Sequence, residues 1–202
     1  MKLLAAIIVL AVTLNSFSAG ADQFDGIKRR IAEADCCAFG FISVLSSSVF
    51  DTKDSSRGTA QIARDGRYVI VLGKDVYLCD GKFAYSYSPS TNQVIVEQFD
   101  SGHAANKEIS FLTRLDEYYL TRCIQANQEY RLTKKVGVSA SNIPDSMLVV
   151  IDADRQQIAH IDYLDVNDEQ VRVVLIEQKL DPKCDDSVFV PAFPDSAETV
   201  KL

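Results

Sequence analysis

The sequence predicts a mainly β domain of the α+β kind, an antiparallel sheet that meanders along the chain and rolls into a barrel or half-barrel. Three observations predict it. After Asp35 the chain breaks into short strand-like runs at 37–46, 57–63, 67–72, 75–79, 83–88, 93–99, 120–125, 128–136, 146–151, 156–165 and 170–178, with a shorter one near 187–190. Turn-forming residues separate the runs. Asp80-Gly81 between two of them is a strong tight-hairpin signal, and Ser88-Pro89-Ser90-Thr91-Asn92 and Gln125-Ala126-Asn127-Gln128 read as further turns. Helical periodicity is confined to two stretches, one ahead of the first strand and one between strands. Short strands in sequence order joined by tight turns are the pattern of such a meander.

The elements follow in order. Met1-Lys2 gives a positive start, Leu3 to Leu14 is apolar apart from Thr13, and Ala19-Gly20-Ala21 fits a small-x-small cleavage site. The apolar run is about twelve residues, short of the roughly 20 that span a bilayer as a helix. Residues 1–21 are therefore read as a signal peptide cleaved after Ala21, and 22–202 as one exported domain. Of the 202 residues, 47% are hydrophobic and 24% charged, which excludes a disordered, collagen-like or coiled-coil chain. Phe24, Ile27 and Ile31 share one face of a helix that Asp22 or Asp25 can cap, with Lys28-Arg29-Arg30 further along in the order the helix dipole favours. From Asn106 onward, Ile109, Leu112, Leu115 and Tyr119 form the apolar stripe of a second helix.

Two runs break the one-wet-face pattern of a plain antiparallel sheet. Met147 to Ile151 and Val173 to Ile176 are apolar on both faces. Either protein covers these strands on both sides, or one face meets something apolar that comes and goes. Five cysteines, Cys36, Cys37, Cys79, Cys123 and Cys184, leave at least one thiol free. Adjacent Cys36-Cys37 is a poor geometry for a mutual bond, and no pair has C-x-x-C spacing. The spacing does not choose a pairing; small buried thiols with at most one bridge is the reading.

No array of catalytic residues stands out. The two histidines, His103 in a Gly/Ala/Asn loop and His160 in a strand, belong to no H-x-x-x-H or H-E-x-x-H array, and no G-x-S-x-G, P-loop or G-x-G-x-x-G occurs. Asp80, Asp152, Asp154, Asp165 and Asp168 fall at turns, where their side chains bond nearby backbone. The Asp152/Asp154 pair lacks the glycine and terminal glutamate of a calcium loop. A net charge of −7 with only short basic runs argues against nucleic-acid binding. The expectation is a binding protein rather than an enzyme, with no cofactor and no metal.

One succession of motifs goes further. Cys37-Ala38-Phe39-Gly40-Phe41 is followed by Gly58, then by Ile62-Ala63-Arg64-Asp65-Gly66-Arg67-Tyr68. Asp80-Gly81-Lys82-Phe83-Ala84-Tyr85-Ser86-Tyr87-Ser88-Pro89 and Gln93-Val94 come next, with Phe189-Val190-Pro191-Ala192-Phe193-Pro194 near the end. This succession resembles the periplasmic outer-membrane lipoprotein carrier (LolA) family. That family has a glycine-led strand ending in R-P-G-x-F, then D-G-x-x-x-W-x-Y-x-P, Q-V after the turn, and F-x-P-P toward the C-terminus. Here Asp65 stands in place of the proline, Ile70 in place of an aromatic and Tyr85 in place of the tryptophan.

The resemblance implies an incomplete antiparallel barrel whose apolar cavity is covered by helices acting as a lid. It implies a periplasmic carrier, monomeric, that takes acylated lipoproteins from an inner-membrane ABC-type release complex to an outer-membrane acceptor. On that reading Phe39, Phe41, Tyr68, Ile70, Tyr85 and Tyr87 are wall candidates, Leu112 and Leu115 belong to the lid, and Arg64 hydrogen-bonds the lid in the empty state. Asp65 is a competing partner for Arg64. The alternatives are an envelope sensor or regulator built on the same half-barrel, a carrier of another lipid, and, from a third class, a hydrolase with a carboxylate in the pocket.

Overall fold

A computed structural model describes residues 22–47, 51–99, 110–138, 143–165, 167–181 and 183–202. The predicted signal peptide, His103 and the start of the second helical pattern at Asn106 and Ile109 lie outside the described residues. Among the described residues, helix α1 (Gln23–Glu33) precedes β1 (Cys36–Ser47), β2 (Thr52–Ala63), β3 (Tyr68–Leu72), β4 (Asp75–Cys79), β5 (Phe83–Ser88) and β6 (Gln93–Gln98). A 3₁₀ turn at Ser110–Arg114 and the short α2 (Leu115–Tyr118) follow. Then come β7 (Tyr119–Gln125), β8 (Glu129–Lys134), β9 (Ser146–Asp152), β10 (Gln157–Leu164), β11 (Gln170–Leu180) and β12 (Glu198–Lys201). Eleven of the predicted strands match within a few residues. The run at 187–190 is instead a 3₁₀ turn, Asp186–Phe189, and β12 was not foreseen. The second helical pattern also ends early, because Tyr119 opens β7.

The strands form one sheet in the order β12-β6-β5-β4-β3-β2-β1-β11-β10-β9-β8-β7. Two meanders, β1–β6 and β7–β11, meet where β1 pairs with β11, antiparallel throughout, and β12 joins β6 in parallel. Among the described residues, no pairing joins β7 to β12. The barrel is therefore incomplete, as predicted.

Because side chains alternate between faces of a strand, register decides what each face carries. Phe39 lies opposite Ala60, Ala60 opposite Ile70 and Ile70 opposite Tyr77, so these share a face. This inner face continues through Leu175 and Val173, Ile161, Met147 and Val149, Tyr130 and Leu132, and on to Tyr119, all in one hydrophobic core. Gly58, opposite Phe41, is required there. A Cβ at Gly58 would stand 2.3 Å from the Phe41 ring and 2.6 Å from the Val71 carbonyl oxygen.

The outer face of β3–β6 has its own cover, the chain from Cys184 onward. Phe193 packs against Tyr85 and Tyr87 at ring-centre distances of 5.8 and 5.6 Å. Phe189 lies under the Arg67 guanidinium, which pairs with Asp65 at 2.8 Å and Asp186 at 3.0 Å. A disulfide between Cys36 and Cys184 anchors this strap to the start of β1, spanning 148 residues of sequence. Cys37 and Cys79 are free and buried, and Cys123 is free and exposed.

Candidate binding site under the helical cover

The inner face is closed by α1 and by the 110–118 segment. Asp22 caps α1 by accepting from the Phe24 amide at 3.1 Å. The predicted stripe of Phe24, Ile27 and Ile31 faces inward and is buried. Phe111, Leu112, Leu115 and Tyr118 are buried in the same core. The concavity is filled by these side chains of the chain itself. The candidate site is thus an apolar surface under a cover.

Among the described residues, polar contacts fasten α1 at its start, its middle and its end. At the start of α1, Phe24 stacks on Tyr130 with ring centres 4.6 Å apart. The Tyr130 hydroxyl donates to Asp22 at 2.5 Å and accepts from the Asn127 amide at 3.0 Å. Burial first, and the Asp22 carboxylate second, push the Tyr130 phenol up to about 12. At mid-helix, Lys28 is only 7% exposed. Its ammonium meets Asp116 at 2.5 Å and Asp25 at 2.9 Å, and donates to the Thr121 hydroxyl at 3.4 Å. Burial favours neutral Lys28, but the hydrogen bonds to Asp116 and Asp25 outweigh it, so its pKa lies above the usual lysine value. Lys28 ties the two parts of the cover together and also reaches the edge strand. Toward its end, α1 is held where Arg30 donates to the Gln156 carbonyl.

Sequence reasoning missed Lys28, which it grouped with Arg29 and Arg30 as charge complementing the helix dipole. The signal was present. Lys28 follows Phe24 by four residues and precedes Ile31 by three, which puts it on the apolar face.

The predicted site residues divide into three groups. Phe39, Phe41, Tyr68, Ile70, Leu112 and Leu115 come together in the inner core, where burial raises the pKa of the Tyr68 hydroxyl. Tyr85 and Tyr87 do not join them. Tyr85 pairs with Leu78 and Tyr87 with Val76, one position out of phase with the inward Cys79 and Tyr77, so both tyrosines face outward onto the strap. The Tyr85 hydroxyl donates to Asp80 at 2.9 Å; burial and then this bond push its pKa up to about 12. Arg64 forms the third group. It stands just after β2, 56% exposed, with its guanidinium 3.4 Å from Asp35 at the junction of α1 and β1. The competing carboxylate, Asp65, is engaged by Arg67.

The two apolar runs are also resolved by register. Met147, Val149, Ile151, Val173 and Leu175 face the core, whereas Leu148, Val150, Val174 and Ile176 lie half-buried on the outer face.

No protein-family model matches the sequence, and no curated protein matches it. Solved structures with a similar course of chain do exist. A LolA superfamily protein from Nitrosomonas europaea is 10% identical, covers 85% of this chain and 99% of its own, and has a TM-score of 0.46. An outer membrane lipoprotein-sorting protein domain from Vibrio parahaemolyticus is 8% identical, with 83% and 94% covered and a TM-score of 0.45. A chain of the MucA/MucB complex of Pseudomonas aeruginosa is 10% identical, with 89% and 62% covered and a TM-score of 0.36.

Proposed function

We propose that this protein is a lipid-chain carrier of the cell envelope. It would shelter the acyl chains of lipoproteins on its inner face during transit from an inner-membrane release complex to an outer-membrane acceptor. The observation that supports this reading is the covering of an unclosed half-barrel, largely apolar on its inner face, by helical segments rather than by further strands. A cover of that kind can leave without breaking the sheet.

The magnitudes agree with exchange. Burying Phe24, Ile27 and Ile31 is worth about 1.5–3 kcal/mol each, or roughly 5–9 kcal/mol together. An acyl chain of about fifteen carbons carries on the order of 12 kcal/mol against water, at about 0.8 kcal/mol per CH₂. One chain can therefore replace the helix stripe, with a surplus small enough that release to an acceptor stays accessible. The role needs no bond making, so turnover of a lipid ester is not expected.

The test is displacement. An apolar fluorescent probe should bind saturably and be displaced by a diacylated peptide, while the same peptide without acyl groups should not compete. Equal competition by the deacylated peptide, or hydrolysis of the lipid, would sink the carrier reading.

A further inference from the structure

The outer face of the sheet away from the strap carries a second feature that the carrier role does not use. Register places Val44 beside Arg172, Arg172 beside Asp162, Asp162 beside Leu148 and Leu148 beside Arg131, one row across five strands. Adjacent strands lie about 4.8 Å apart, so the row is roughly 19 Å long. Lys53, Leu164 and Gln170 belong to the neighbouring row, and together these side chains line an open trough of about 620 Å³.

Its chemistry is two-sided. Val44 and Leu148 are half-buried, and Leu164 is 52% exposed. The charged residues lining it are Lys53, Arg131, Arg172 and Asp162. Asp162 accepts from Arg172 Nε at 2.6 Å and from a terminal nitrogen at 2.8 Å, which neutralises that guanidinium and holds it in place. Lys53 and Arg131 make no ion pair among the described residues. The trough is thus net positive in a chain whose formal charge is −7.

We propose that this trough binds a single anionic amphiphile, with its acidic head at Arg131, which adjoins Leu148, and its alkyl chain running across the strands over Leu148 and Leu164 toward Val44, while Lys53 adds positive charge at the far end. The volume falls in the range of small-molecule sites, about 300–1,000 Å³. An alkyl chain suits the position better than an extended peptide does. The trough crosses the face of a paired sheet, where no strand edge is free to satisfy a peptide backbone. An alkyl chain has no such groups to satisfy. This site lies on the opposite face of the sheet from the covered core, so its occupancy goes beyond the carrier reading and does not depend on movement of α1.

The experiment titrates the whole protein below micellar concentration with laurate, lauroyl-lysophosphatidylglycerol and zwitterionic lauroyl-lysophosphatidylcholine. It compares wild type with K53E/R131E, both substitutions being on exposed side chains. A diazirine-bearing laurate maps the contact by photocrosslinking. The expected result is binding of the anionic amphiphiles with labelling at Val44, Leu148 or Leu164, weakened at least about tenfold in the variant and by added salt. The tighter of the two anions then identifies the head as carboxylate or phosphate. Equal binding of the zwitterionic lipid, unchanged affinity in the variant, or labelling confined to Phe39, Ile70 and their inner-face neighbours would overturn the proposal. So would an acidic amphipathic peptide that binds this face when neither anionic lipid does. Failure of the carrier reading would appear as absent inner-face labelling and leaves this result untouched.

Discussion

The inner face of the sheet and the outer face of β3–β6 are both apolar and both covered, but the covers are fastened differently. Over the inner face, α1 rests on three apolar side chains, a stacked ring and, among the described residues, non-covalent polar contacts centred on Lys28. Over the outer face, the C-terminal strap is fixed covalently through Cys36–Cys184 and by the pairing of β12 with β6. Its conformation is set further where Asn92 donates to the Ser196 carbonyl at 2.7 Å. Non-covalent contacts of modest strength can be exchanged for contacts to a ligand, whereas a bridge across 148 residues cannot. On the proposed carrier reading, exchange belongs to the inner face and permanence to the strap.

The sharpest way to break the comparison is to cut the strap. In the chain-entropy account a bridge closing so long a loop is worth roughly 2–5 kcal/mol. Replacing both Cys36 and Cys184 by serine should cost that amount and lower the thermal midpoint by roughly 5–15 °C. Uptake of an apolar probe at the inner face should change less than about twofold, an amount below 0.5 kcal/mol. Calorimetry and probe titration on the same preparation test both halves. A large rise in probe uptake would show that strap and cover move as one, and the division of labour would fail.

The latch should behave in the opposite way. Asp116→Asn removes the carboxylate nearest the Lys28 ammonium but leaves Asp25 in place. Because the Asp116 side chain is 67% exposed, solvent screening limits the loss to about 1 kcal/mol. That small cost falls on the closed cover, so probe uptake should rise about fivefold while the sheet stays intact by circular dichroism. The pH dependence follows from the sign of the Lys28 shift. Its folded value lies above the ordinary 10.5, so its stabilising contribution is complete below that pH and is lost only as pH rises through the folded value. The difference between wild type and Asp116→Asn should therefore be flat from about pH 6 to 9. A difference that vanishes within that range would mean Lys28 is not the charged partner.

The strands were legible because alternation and turn residues are local signals, and eleven of them fall where the sequence put them. Which face a strand shows is not local. The Tyr85-x-Tyr87 spacing says only that the two rings share a side. That side is settled by Phe193, more than a hundred residues away in sequence. The Cys36–Cys184 pairing was out of reach for the same reason. The short β12, Glu-Thr-Val-Lys, carries little hydrophobic pattern and exists because β6 offers an edge beside it. At Tyr119 the helical spacing from Leu115 and an inward strand position are both satisfied by one buried residue, so periodicity alone could not tell them apart. Lys28 is the instructive miss, since a charge on the buried stripe of a helix marks a partner that folding must supply.

Arg64 gives the smallest expected effect and the finest test. The motif resemblance implies an arginine that bonds the lid and biases the carrier toward release. Its loss would then tighten the hold on cargo by one to two decades if about 1–3 kcal/mol of hydrogen bonding disappeared. The geometry leads elsewhere. Arg64 is paired with Asp35 at 3.4 Å, the carboxylate side is 86% exposed, and the Arg64 amide also donates to the Asp35 carbonyl at 3.0 Å. An exposed ion pair of that kind contributes at most a few tenths of a kcal/mol after screening, and the backbone bond survives substitution. Arg64→Leu should therefore leave stability within about 0.5 kcal/mol of wild type and probe affinity within about twofold, with Lys28 carrying the closing bias instead. Transfer of an acylated cargo to an acceptor, measured for Arg64→Leu and Asp116→Asn side by side, separates the two residues. Tenfold tighter retention in Arg64→Leu with none in Asp116→Asn would return the role to the arginine and show that its contact with Asp35 gives way to the cover during the cycle.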